Sequence, residues 1–108
     1  MEVNWTHNAM LMADSVLRYT FHTFGKLQAD KLKMMFVDAT NRLKSFPHSG
    51  SVDPFLSDVN CEYRSLALVK PIKMIYYIAD SEQLYVVAVW NCRQDADSLH
   101  DLINNSEI

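Results

Sequence analysis

Three basic residues lie in or beside stretches with the composition of β-strands: Arg64 near the start of residues 63–69, Lys73 within 72–79, and Arg93 just past 84–90. Side chains alternate between the two faces of a strand. A three-stranded meander can therefore bring these residues to one face, with Tyr76 or Tyr77 beside them. Such a cluster suits phosphate. It can bind an RNA backbone, stabilise charge developing in phosphodiester cleavage, or pair with carboxylates of a protein partner. The same residues can also serve as solvated or snorkelling side chains at sheet edges, and a register slip of one residue inverts the face.

Other chemistries find less material. His7, His22, His48 and His100 are scattered, and neither Cys61 nor Cys92 sits in a C-x-x-C or at ligand spacing from a histidine, so no metal site is expected. Gly25 and Gly50 are the only glycines, which excludes both G-x-G-x-x-G and the P-loop and implies no nucleotide cofactor. No local signature links a Ser or Cys nucleophile to a base. Cys92, at a strand end, reads as core, and both thiols as reduced and packed.

The elements that must position the basic residues follow from periodicity. Thr6 can cap a helix after a short extended start at residues 3–5, and Gly25 can close it. Ala9, Ala13, Val16, Leu17, Thr20 and Phe24 form its apolar stripe. Ala29, Leu32, Phe36, Ala39, Leu43 and Phe46 then repeat by three and four until Pro47 and Gly50 end the run, which makes an αα-hairpin. Residues 46–61 read as a long loop. The three β-rich stretches follow, separated by Lys70-Pro71 and by residues 80–83. Residues 86–90 are apolar at every position and suit a central strand covered on both faces. Asp95 can cap a short C-terminal helix carrying Leu99, Leu102 and Ile103.

With 108 residues, 49% of them hydrophobic, the chain fits one domain, 1–108, with a real core, and whole-chain disorder is excluded. No apolar run approaches the roughly twenty residues of a membrane span, and MEVNWTHNAM lacks the basic and apolar regions of a signal peptide, so the expectation is a cytoplasmic protein that does not engage membranes. The net charge of −3 is uneven: residues 25–50 and 63–78 each carry +3, and residues 79–108 carry −5. An acidic total argues against a protein that grips nucleic acid unaided.

The ordered set L-x-x-F-P-H-S-G (Leu43, Phe46, Pro47, Gly50), E-Y-R-S-L at 62–66, I-K-M-I-Y-Y-I at 72–78 and V-W-N-C-R-Q-D at 89–95 resembles the RelE/ParE superfamily of toxins from type II toxin-antitoxin (plasmid stabilisation) modules. The resemblance covers nearly the whole chain. It implies an α+β fold in which an N-terminal helical hairpin packs on a small twisted antiparallel sheet, in the order β-α-α-β-β-β with a short C-terminal helix.

The resemblance also implies function. RelE-like members cleave mRNA on the ribosome with basic residues on the sheet and a Tyr or His near the C-terminus, while ParE-like members poison DNA gyrase. Matched by motif, Arg64 falls where the nucleases keep one lysine, Leu66 replaces the second, Lys73 stands for a phosphate-gripping arginine, and Arg93 fits the transition-state arginine. Leu99 occupies the tyrosine position, leaving the adjacent His100 as the substitute base. Arg64, Lys73, Arg93 and His100 would therefore be the catalytic set only if the chain were a nuclease. The missing lysine, the missing tyrosine and the acidic total favour the ParE-like branch. An inactive relative kept as a binding module is a further alternative. The resemblance implies a cognate antitoxin, with a heterotetramer as one assembly. The expected docking surface is an available apolar seam around Leu27, Leu32 and Phe36, with Arg64 and Lys73 beside it.

Overall fold

The computed structural model describes residues 1–58 and 61–91. Strand β1 (Glu2–Trp5) leads into helix α1 (His7–Phe24), which turns at once into α2 (Lys26–Ser45). Strands β2 (Ser51–Val52), β3 (Arg64–Ala67), β4 (Ile72–Ile78) and β5 (Gln83–Asn91) complete the described chain.

Local chemistry explains the hairpin. The Thr6 hydroxyl accepts a hydrogen bond from the Ala9 amide at 3.1 Å, satisfying one of the donors that a helix start leaves unpaired. Gly25 separates the two helices with φ 91° and ψ 176°, a region essentially reserved for glycine. Its N–H closes α1 on the Phe21 carbonyl, and its own carbonyl receives the Ala29 amide, so one residue ends one helix and begins the next.

The sheet order is β1-β5-β4-β3-β2. The meander β3-β4-β5 is antiparallel as expected, but β1 pairs with β5 in parallel, Glu2 with Gln83 through Trp5 with Val86, so the sheet is mixed rather than wholly antiparallel. A parallel pair needs a long crossover, and the helical hairpin with the meander behind it supplies one. The expected loop at 46–61 also contains β2, which adds an antiparallel edge to β3. Two residues are too few to show a period in sequence. The expected C-terminal helix lies outside the described residues.

One face of the sheet carries Met74, Tyr76, Leu84, Val86 and Val89, packed against Ala9 of α1 and Leu32, Phe36, Ala39 and Leu43 of α2. Trp5 joins this layer, its ring edge-on to Phe36 at 5.9 Å and its indole N–H donating to Thr40. The other face carries Ile75, Val87 and Ala88, with Tyr63 and Leu56 laid over them. A register shift between Ile75 and Tyr76 sets Ile75 opposite Ala88 but Tyr76 opposite Val86, so Val87 is the extra residue. This bulge lets Val87 and Ala88 both enter the second core. Residues 86–89 are accordingly buried throughout, as a strand covered on both faces requires.

Candidate functional site

The motif residues meet on the helix-covered face of the sheet, where the turn after α2 lies on β3 and β4. Tyr76 is fully buried, and its hydroxyl bridges that turn: it donates to the Pro47 carbonyl at 2.7 Å and accepts the Gly50 amide at 2.9 Å. The approach is so close that a Cβ on Gly50 would lie 2.7 Å from the Tyr76 ring, its hydroxyl and the Ser65 carbonyl, which explains the glycine. Burial pushes the Tyr76 phenol above its ordinary range, while the Gly50 amide and the nearby Arg64 guanidinium oppose the rise. Arg64 completes the clamp by donating to the Gly50 carbonyl at 2.9 Å and pairing with Glu62 at 3.0 Å.

Lys73 lies elsewhere. Arg64 pairs across the ladder with Tyr76, on the helix-covered face, whereas Lys73 pairs with Ala67, one step out of phase. Arg64 and Lys73 therefore occupy opposite faces, and the expected convergence of these two residues does not occur. Lys73 instead approaches Asp53 at 3.6 Å, with both side chains largely shielded from solvent. The Asp53 carboxylate also receives the amides of Phe55 and Leu56 and the Ser65 hydroxyl. Its work is to fold residues 53–58 into a turn that sets Leu56 on the second core. Arg93 and His100 lie outside the described residues.

Beside the clamp, His48, Cys61, Glu62, Arg64 and Tyr77 line an open cleft of about 410 Å³. Its chemistry is muted. Arg64 already has two partners, and burial raises the Cys61 thiol pKa, helped by Asp58 and Glu62 and opposed by a hydrogen bond with Tyr63. A thiol shifted in that direction is a weak nucleophile at neutral pH. Behind it Tyr63, Tyr77 and Tyr85 form a ladder, edge-on at 5.9 Å and then stacked at 5.6 Å. Burial also pushes the Tyr63 and Tyr77 phenols up. No group of three His, Cys, Asp or Glu able to hold a metal occurs among the described residues. No helix among them is long and apolar enough to cross a membrane.

The expected docking seam is also rearranged. Leu32 and Phe36 are core residues facing the sheet, so of the three only Leu27, 67% exposed, is available. An i, i+5, i+9 set cannot share one face, because 100° per residue carries Leu27 to the far side of α2 from Phe36. The exposed apolar residues of the hairpin include Met10 and Leu11 early in α1, Tyr19, Phe21, Phe24 and Leu27 around its turn, and Met34, Met35 and Val37 on α2.

Three elements escaped the reading of the sequence: the Tyr76 hydroxyl, the crowding at Gly50 and the Asp53 carboxylate. A tyrosine in an otherwise apolar strand, paired with a glycine-closed turn, was the available signal for the first two.

No protein-family model matches the chain, and no curated protein does. Among solved structures the chain is similar to one described as "Chromosomal ParDE TA system from P. aeruginosa", with a TM-score of 0.67 and 20% identity over 84% of this chain and 95% of that one. Likeness at that identity is likeness of fold. With its helical hairpin on a five-stranded mixed sheet, the chain has a RelE/ParE-like α+β fold.

Proposed function

We propose that this chain is the toxin of a type II toxin-antitoxin module, ParE-like in action and neutralised by a cognate antitoxin. The observation that carries the reading is the fold likeness to a ParDE structure, which extends over 84% of this chain and 95% of that one. The motif order supports it, since the F-P-x-x-G turn, the Y-R strand and the I-x-Y-Y strand are tied together through Gly50, Arg64 and Tyr76.

The ParE-like branch, acting on DNA gyrase, is preferred to mRNA cleavage on electrostatic grounds. A nuclease site built on Arg64 and Lys73 needs both cations free on one face. Here they lie on opposite faces, and each is engaged inside the fold, Arg64 by Glu62 and the Gly50 carbonyl and Lys73 by Asp53. The net charge of −3 also opposes entry into an anionic ribosomal site. The antitoxin covers apolar surface that the lone chain leaves exposed on α1, at Tyr19, Phe21 and Phe24.

The test is induced expression in bacteria, followed by two reactions with purified protein: gyrase supercoiling, and translation of a defined mRNA with 5′ ends mapped. Growth arrest relieved by a co-expressed antitoxin, gyrase inhibition and intact mRNA are expected. Normal growth with folded protein present overturns the toxin reading. Ribosome-dependent cuts abolished by Arg93→Ala move the chain to the nuclease branch.

A further inference from the structure

The outer face of α2 has an unusual composition for a solvent-facing helix. Leu27, Met34 and Met35 are 67%, 56% and 38% exposed, and they line a shallow groove with Asp30, Lys31 and Asp38 on the side away from Leu32, Phe36, Ala39 and Leu43. Asp30 is taken by Lys26 at 2.8 Å. Lys31 and Asp38 form no ion pair among the described residues, and they cannot reach one another. Seven residues apart, they sit on one side of the helix but about 10 Å apart along it.

We propose that this face pairs with the same face of a second copy of the chain, the two α2 helices running antiparallel about a two-fold axis between Met34 and Met35. That axis sets Met34 against the partner's Met35, and it sets Lys31 level with the partner's Asp38 at both ends of the methionine contact. The two charges left without partners in one chain thereby satisfy each other twice in the pair.

The charges also select this arrangement. Parallel helices would oppose Lys31 to the partner's Lys31 and Asp38 to the partner's Asp38, and an axis through Met34 would oppose Asp30 to the partner's Asp38. The unbranched methionines adapt to a facing copy better than branched side chains would. A contact built on one helix face belongs at the small end of protein interfaces, so the pair is weak and dissociates on dilution. The inference does not depend on the toxin reading, since it uses only this face and its charges.

Sedimentation equilibrium of the purified chain from about 1 to 300 µM tests it. The wild type is expected to pass from monomer to dimer, with the Kd rising at high salt. Lys31→Glu alone opposes two acids and Asp38→Lys alone opposes two lysines, so each is expected to raise the Kd about tenfold or more. The double variant Lys31→Glu/Asp38→Lys restores both pairs and is expected to dimerise again. An equimolar mixture of the two single variants is expected to form a heterodimer, which also shows that both are folded. A monomer throughout the range overturns the proposal, as does a dimer indifferent to the single reversals or one the double variant does not restore. A monomer that instead binds a helical antitoxin segment through Met34 and Met35 overturns it as well.

Discussion

Replacing Tyr76 with phenylalanine removes one oxygen and strands two backbone groups. In the native fold that oxygen donates to the Pro47 carbonyl at 2.7 Å and accepts the Gly50 amide at 2.9 Å, beneath a ring with no exposed surface. The lost bonds are worth about 1 kcal/mol each, and an amide left buried without a partner adds about 1 kcal/mol more, whereas the half-buried Pro47 carbonyl can turn to water. The expected destabilisation of Tyr76→Phe is therefore about 2–3 kcal/mol, a fall in Tm of about 10–20 °C for a domain of this size. Urea and thermal unfolding followed by circular dichroism measure it. Tyr77→Phe is the control: it makes the same chemical change one residue along, at a half-buried hydroxyl with no hydrogen bond among the described residues, and should cost under about 0.5 kcal/mol. Gly50→Ala pushes a methyl into the same contact, so its cost should fall short of additive with that of Tyr76→Phe. Equal, small losses for Tyr76→Phe and Tyr77→Phe would refute the clamp.

Asp53→Ala should cost about 2–3 kcal/mol, because it strands the Phe55 and Leu56 amides and leaves Lys73 shielded without its partner, whereas Lys73→Ala should cost under about 1 kcal/mol, since Asp53 keeps three donors; urea midpoints of the two variants decide the order. Stability should also fall at alkaline pH. Tyr63, Tyr76 and Tyr77 all have phenols raised by burial, so the folded chain holds protons that the unfolded chain releases; the stability is fully present below the ordinary tyrosine value near pH 10 and is lost as pH climbs beyond it. Urea midpoints at pH 8, 10 and 11 should show this decline, and Tyr63→Phe should make it shallower. Gly25→Ala meets no steric neighbour but must hold an unfavourable positive φ, so thermal unfolding should show a loss of about 1 kcal/mol or more.

The helical hairpin and the meander were legible in the residues because their causes are local. Thr6 caps, Gly25 permits a positive φ, and the repeat through Leu32, Phe36, Ala39 and Leu43 marks the buried side of α2 without reference to anything distant. The resemblance carried by Phe46-Pro47, Gly50, Tyr63-Arg64 and Tyr76-Tyr77 likewise survives as a RelE/ParE-like fold. The site did not follow from the same evidence. Whether Arg64 and Lys73 share a face depends on cross-strand register, and a single step of phase separates them. The parallel edge made by β1 rests on hydrogen bonds between residues about eighty positions apart, and no local pattern encodes such a pairing. The partners of the basic groups are long-range too: Gly50 for Arg64 and Asp53 for Lys73 come from a loop whose composition signals only turns. Composition and period therefore determined which residues could form elements and which side of α2 is core. Tertiary packing alone decided which faces and partners the two cations take, because a charge takes the partner that register and loop closure bring within reach.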